Sequence, residues 1–298
     1  MRPYLAGVGA ILCWASLAAV IGQGLHSLPP EQLLCYGLTI AALGLCAWHW
    51  WHWGRPLPPW PGWRVALLGV YGIWGFHTLL VLALSLAPQV PANILNYTWP
   101  LWIVLLGALL PGQRLRQPML LAALLGFAGV MAVIGGGWPG APAADDTLPV
   151  GSPSALVGLL LALCAGFCWG SFSVLLRGRV PPRRQYMGLF CALSAGVAAL
   201  VLALRGGPWT VTPAQMGLLA YLGLVPLGAS FLLWEYALKG GNVQVLGVLS
   251  FFTPLLSTLL LALVGGEPPG LSALAGLALI LAGSALAAWS GRTRLPAR

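Results

Sequence analysis

The stretch Asn93-Ile94-Leu95-Asn96-Tyr97-Thr98-Trp99-Pro100 sits inside a long apolar run and breaks it with two amides, an aromatic pair and a proline. Proline in a helix interior removes a backbone hydrogen bond and clashes with the carbonyl four residues back. At membrane depth such a break persists only where the freed groups face protein or a cavity. A second copy, Gly247-Val248-Leu249-Ser250-Phe251-Phe252-Thr253-Pro254, lies 154 residues on. In both, a small polar residue precedes an aromatic, and a proline follows three residues later. The paired breaks are expected to form the two lips of a central binding site.

Composition sets the solvent. The chain of 298 residues is 59% hydrophobic and 6% charged, with a mean hydropathy of +0.89. Soluble domains carry roughly 25% charged residues, so this chain lacks the means to cover a water-facing surface. It reads as an all-α integral membrane protein. Spans of about 20 apolar residues leave room for ten. They are drawn at 4–25, 31–52, 63–86, 91–110, 117–135, 155–177, 185–204, 212–238, 243–264 and 270–290. The first run outlasts a signal-peptide h-region and lacks a small-residue cleavage site, so it is kept as a span. A polar connector, Gly135 to Ser154, carries Asp145 and Asp146 and reads as a linker between halves 1–150 and 151–298.

The net charge of +9 is spread over short loops, which argues against a nucleic-acid partner. It orients the chain instead. With the N-terminus inside, every Lys and Arg except Arg205 falls on the inner side of a ten-span arrangement. Cytoplasmic loops hold such an excess, so both termini are expected in the cytoplasm. The six cysteines all lie in apolar runs, where free cysteine packs as a small hydrophobe. No disulfide, metal or cofactor is expected.

One offset recurs along the chain. Cys13-Trp14-Ala15-Ser16 matches Cys168-Trp169-Gly170-Ser171 at 155. Ala83-Leu84 matches Ala237-Leu238, Pro100 matches Pro254, Gly112-Gln113 matches Gly266-Glu267, and Gly129 matches Gly283, all at 154. A five-span repeat follows. Five is odd, so the copies lie in opposite orientations, an arrangement found in secondary transporters with the site near the midplane. Two five-helix halves, a Trp-containing first helix in each, and Pro-bearing fourth and ninth helices followed by Gly-Gln or Gly-Glu resemble the drug/metabolite transporter superfamily, EamA type. The resemblance covers nearly the whole chain. It implies alternating access without ATP, with helices three, four, eight and nine as gates. The fifteen tryptophans depart from the general pattern.

Trp48, Trp50, Trp51, Trp53, Trp60 and Trp63 cluster around one inner loop, and Trp138, Trp209 and Trp289 lie near other span ends; these read as an aromatic belt at headgroup level. Trp14, Trp74, Trp99, Trp102, Trp169 and Trp234 lie deeper, where interhelical packing competes with ligand contact. Trp14 and Trp169 are the foremost candidates, because repeat-related positions would flank a ligand on the pseudo-two-fold axis. Tyr97 is preferred over Trp99, since Phe251 matches it in the other half. Aromatic walls would add roughly 0.5–1.5 kcal/mol per stacked pair beyond area burial. His77 is the histidine well inside a span, and such ionisable residues are functional candidates; a neutral ring satisfied by neighbouring backbone is the competing reading. Tyr71, Trp74, Thr78 and Leu82 share one helical stripe with spacings of three or four, and His77 lies beside it. Asn93, Asn96, Ser16, Ser171, Ser250 and carbonyls freed near Pro100 and Pro254 would hold an ammonium and a carboxylate without formal charge. Gly75, Gly228, Pro100 and Pro254 are the expected hinges and gates. Glu235 stands four residues before Lys239, the favourable order for a helical ion pair, which argues against a proton carrier.

The expected function is export of small molecules, foremost aromatic and other neutral amino acids, through a central cavity in the inner (plasma) membrane. Transport would be facilitative and the protein monomeric. The alternative is proton-coupled efflux of drugs or aromatic cations. An intramembrane enzyme would need paired aspartates, a Ser–His pair or a metal site, and no predicted span contains an Asp.

Overall fold

Proline and glycine punctuate an otherwise helical chain. The computed structural model describes residues 1–25, 27–87, 89–135, 152–181, 184–265 and 271–292. Among them every regular element is a helix. In order they are α1 (Arg2–Ala15), α2 (Leu17–Leu25), α3 (Pro30–Trp53), α4 (Trp63–Val70), a π-helical turn (Tyr71–Gly75), α5 (Phe76–Leu86), α6 (Gln89–Asn96), α7 (Trp99–Gly107), α8 (Gln117–Gly135), α9 (Pro153–Arg179), α10 (Met187–Leu204), α11 (Pro213–Leu222), a second π-helical turn (Gly223–Ala229), α12 (Ser230–Gly240), α13 (Val243–Leu249), α14 (Phe252–Gly265) and α15 (Leu271–Arg292). Most of the expected linker, with Asp145 and Asp146, lies outside the described residues. So do Gly266 and Glu267 of the repeat match, and Arg183, Arg294 and Arg298 of the charge pattern.

Among the described residues five continuous stretches are long and apolar enough to cross a membrane: Pro30–Trp53, Trp63–Leu86, Pro153–Arg179, Met187–Leu204 and Pro213–Gly240. At 1.5 Å per residue, 24 residues reach about 36 Å, enough for a hydrocarbon core of about 30 Å. Shorter apolar helices accompany them. Local chemistry sets the ends. Pro30 opens α3, and Gly54 closes it at φ +67° with its N–H on the Trp50 carbonyl, a left-handed stop that glycine adopts without strain. Thr212 and Gln215 form a reciprocal capping box at α11. The Asn242 side chain accepts from the Gln244 and Val245 N–H groups at the head of α13.

The helices group into two compact units. The first comprises Met1–His77 and Leu175–Gly240, the second Thr78–Val174 and Gly241–Arg298. Each takes residues from both sequence halves, so repeat and spatial grouping divide the chain differently. In the first unit α3 packs along α10 and α1 along α12. Cys35 meets Ala198 and Leu202 there. In the second, α8 packs along α15. A Cβ added to Gly129 would lie 2.7 Å from the Gly276 carbonyl, and one on Gly283 would lie 2.6 Å from the Ala122 carbonyl. The repeat-related glycines Gly129 and Gly283 thus both stand where two backbones touch. In lipid, with no hydrophobic drive between helices, such close approach is a main source of association.

Candidate functional site

Both proline-bearing stretches are broken helices. In the second unit, α6 ends at Asn96 and α7 resumes at Trp99, with Pro100 in its first turn. The second break falls at Ser250 and Phe251, before Pro254. The backbone ladder tightens at each. Tyr97 N–H still reaches the Asn93 carbonyl at 2.9 Å, but Thr98 N–H turns to Leu95 at 3.1 Å. Ser250 N–H reaches Leu246 at 3.0 Å, and Phe251 N–H turns to Val248 at 3.2 Å. One expectation is corrected here. The Ser250 carbonyl is not free beside Pro254, because it accepts the Thr253 N–H at 3.0 Å; the tightened turn absorbs the acceptor that proline leaves over.

The structure brings the two broken helices together. A Cβ on Gly247 would lie 2.9 Å from Ile103 Cγ2 and 3.2 Å from the Pro100 carbonyl. Gln244 Nε2 donates across to the Val104 carbonyl at 3.2 Å. Helix α9 closes over the first break with two glycines. A Cβ on Gly166 would meet Thr98 Oγ1 at 2.7 Å and the Asn96 carbonyl at 2.8 Å, and one on Gly170 would meet the Trp99 carbonyl at 2.9 Å. Sequence reasoning missed this pair, although glycines four apart in an apolar helix are a signal of close helix packing. Asn96 is 6% exposed, and its Oδ1 is buried without a hydrogen-bond partner.

The remaining candidates of this unit differ in what they offer. Trp169 is 3% exposed, its ring 5.5 Å from Phe172. Ser171 Oγ donates to the Phe167 carbonyl at 2.7 Å and Ser250 Oγ to the Leu246 carbonyl at 2.8 Å, each back onto its own helix. Phe251 is fully buried, with its ring over Gly126 of α8. Tyr97, its repeat counterpart, is half-buried, as are Asn93 and Thr78. Pro100 and Pro254 are buried at the breaks.

In the first unit the candidates form an aromatic row. Trp14 meets Trp234 edge-on with centroids 5.2 Å apart. Phe231 stands three residues before Trp234 on α12, and its ring is 6.2 Å from His77. The Phe76 ring also lies 4.9 Å from His77. The part of Phe231 was not anticipated; its three-residue spacing from Trp234 is the helical signal that pairs them. Ser16 Oγ donates to the Cys13 carbonyl at 3.0 Å and lies 3.0 Å from the Tyr221 hydroxyl, which donates to it. Tyr71 is exposed.

His77 takes its place from the π-helical turn at Tyr71–Gly75. The Phe76 N–H goes to the Ile73 carbonyl, and His77 Nδ1 lies 2.6 Å from the same oxygen. A carbonyl only accepts, so Nδ1 carries a proton, and a ring without a proton on Nε2 would offer that atom as an acceptor. The second turn, Gly223–Ala229, contains Pro226 and Gly228. Proline cannot donate into the ladder and crowds the preceding turn, and an extra residue looped out relieves both. Gly75 and Gly228 therefore both lie in π-helical turns, which recur at functional sites.

Glu235 has a structural assignment. It is fully buried rather than lying at an exposed helix end. Lys239 Nζ approaches it at 2.5 Å. The Tyr186 N–H donates to it at 3.0 Å and the Met187 N–H at 3.2 Å, so the carboxylate caps the N-terminus of α10. Lys239 also donates to the Arg184 carbonyl, and Arg177 donates to the Leu238 carbonyl. Nearby, a small cleft opens between His49, Pro56, Leu57 and Gln185, and Gln185 Oε1 is buried there without a partner. No sequence-predicted site residue lines it. Among the described residues no three His, Cys, Asp or Glu side chains gather as a metal site would require.

Residues 1–135 and 156–289 each match the EamA-like transporter family. The chain belongs to that family. This EamA-like transporter is 35% identical over 287 residues to the aromatic amino acid exporter YddG of Ancylobacter novellus, covering 95% of this chain and 96% of that protein. It is 26% identical over 223 residues to the aromatic amino acid exporter YddG of Salmonella typhimurium, covering 72% and 74%. A solved crystal structure at 32% identity matches it with a TM-score of 0.84, over 98% of this chain and 99% of that one. The chain is therefore an integral membrane transporter of the EamA family.

Proposed function

We propose that this transporter exports aromatic and other neutral amino acids from the cytoplasm by alternating access, driven by the substrate's own gradient. The observation that carries the reading is Asn96 Oδ1, a buried acceptor without a partner at the first helix break. Such an atom suits an ammonium donor. Within the first unit, taken by itself, the aromatic row of Trp14, Trp234, Phe231 and His77 offers apolar walls to an aromatic side chain. Thr78, Asn93, Tyr97, Trp169, Ser171, Ser250 and Phe251 of the second unit, and Ser16 and Tyr71 of the first, are further proposed substrate contacts. Several of these are sealed in this conformation, so substrate would engage them as the gates open. Gly75, Gly228, Pro100 and Pro254 are proposed as hinges. The chain passes between the two units at His77–Thr78, two residues beyond the first π-helical turn, which favours a hinge there.

Ten spans in two inverted five-helix repeats, divided at 150, would place both termini in the cytoplasm and the monomer in the inner membrane. The names of the YddG relatives support the substrate class. Glu235, occupied by Lys239 and two backbone N–H groups, leaves no free deep carboxylate among the described residues, which favours facilitated export over proton-coupled efflux.

The test is uptake into liposomes by purified protein, comparing labelled tryptophan, phenylalanine, threonine and a flat aromatic cation, with and without a pH gradient. Amino acid flux without the gradient is expected, with loss in Trp169→Ala and Asn96→Ala. Flux of the cation alone, or strict proton dependence, would overturn the substrate or the facilitator reading in turn.

A further inference from the structure

The corner between α3 and α4 presents a surface that transport does not explain. Its tryptophans point outward: Trp50 is 63% exposed, Trp51 88%, Trp60 62% and Trp63 63%. Two arginines, Arg55 and Arg64, are exposed among them, and the Arg64 guanidinium lies 5.3 Å over the Trp63 ring. The sequence contains no Asp or Glu between Glu31 and Asp145. Among the described residues the ion pairs are Arg205–Glu31 and Lys239–Glu235, so neither Arg55 nor Arg64 has a counter-ion among them.

The corner is also held in place. His49 is 8% exposed, and its Nδ1 lies 2.7 Å from the Arg55 carbonyl. Gly54, at φ +67°, closes α3 with its N–H on the Trp50 carbonyl at 2.8 Å. Pro56, Pro58, Pro59 and Pro61 follow, and each fixes its own φ. Arg55 thus stands on a pinned backbone, which lowers the ordering cost of any ligand it holds.

We infer that this corner is a binding surface for anionic phospholipid headgroups. Tryptophan alone fits any headgroup layer, because its ring has an apolar body and one N–H donor. Two unneutralised guanidiniums are selective: their forked donors match phosphate oxygens, and a net negative headgroup supplies the missing counter-charge. A zwitterionic lipid offers the same phosphate with its own ammonium beside it, so it repays less of the arginine charge. The inference does not rest on the substrate reading. It would hold for any cargo.

Purified full-length protein would be titrated with phosphatidylglycerol and with phosphatidylcholine, and the lipids retained counted by native mass spectrometry. Preference for phosphatidylglycerol is expected, with a contribution of about fivefold from each arginine near a charged surface. Arg55→Gln/Arg64→Gln should reduce the preference on the order of tenfold or more, while Arg114→Gln/Arg116→Gln keeps it. Neither arginine side chain has an ion-pair partner among the described residues, so the double variant should elute and melt as the parent does. Millimolar inorganic phosphate should fail to displace the lipid. Equal retention of both lipids, a preference unchanged in Arg55→Gln/Arg64→Gln or lost equally in the control pair, or displacement by phosphate would each overturn the inference.

Discussion

Substitution of Glu235 by alanine removes a carboxylate that serves three donors. Its oxygens accept the Tyr186 and Met187 N–H groups at 3.0 and 3.2 Å, and Lys239 at 2.5 Å. Lys239 is 5% exposed at its side chain and Glu235 0%. Removing one member of a buried pair leaves the other charge uncompensated, at about 3–5 kcal/mol. Loss of a helix cap costs about 0.5–2 kcal/mol on its own, and the two effects overlap because one carboxylate provides both. The expected destabilisation is therefore about 3–5 kcal/mol, a drop in Tm on the order of 10 °C. Lys239→Met should cost less, since Glu235 keeps its N–H donors and the positive end of α10. Replacing both, as Glu235→Leu/Lys239→Met, removes the buried charges together. It should recover most of the loss, leaving about the capping contribution. Thermal unfolding in detergent, followed by tryptophan fluorescence, measures all three variants. A loss below about 1 kcal/mol in Glu235→Ala, or a double variant no better than that single one, would refute the clasp.

Two further outcomes follow from the packing. Gly170→Ala would place a methyl 2.5 Å from Trp102 Cβ and 2.9 Å from the Trp99 carbonyl. It should push α9 off the break and lower stability by about 1–3 kcal/mol; an unchanged Tm would show that α9 yields freely. Pro226→Ala restores the missing N–H in the second π-helical turn. It should leave Tm unchanged or raised and reduce flux in liposomes. Undiminished flux would mean that the turn is not a working hinge.

Both helix breaks were legible in the sequence. The prolines Pro100 and Pro254 marked both helix breaks, because a missing N–H acts locally wherever it falls. Glu235 and Lys239 were legible as a pair, since i,i+4 spacing is a property of the helix itself. What Glu235 caps was not legible: Tyr186 and Met187 lie 49 and 48 positions away. Nor was the row from Trp14 to Trp234, whose members are distant in sequence. The same holds for Phe251, which looked equivalent to Tyr97 but lies sealed over Gly126.

The sequence by itself determined that the chain is helical, apolar and repeated, and it marked the positions of the helix breaks. Those properties depend on composition, period and backbone chemistry, all carried within a few residues. Only the tertiary structure decided that the broken helices cross at Pro100 and Gly247, that glycines of α9 cover the first break, and that each compact unit mixes both halves. In an apolar chain almost any helix face can pack on another. Partners are then selected by close approach of small residues and by a few buried polar groups, and these meet only when the whole chain is folded.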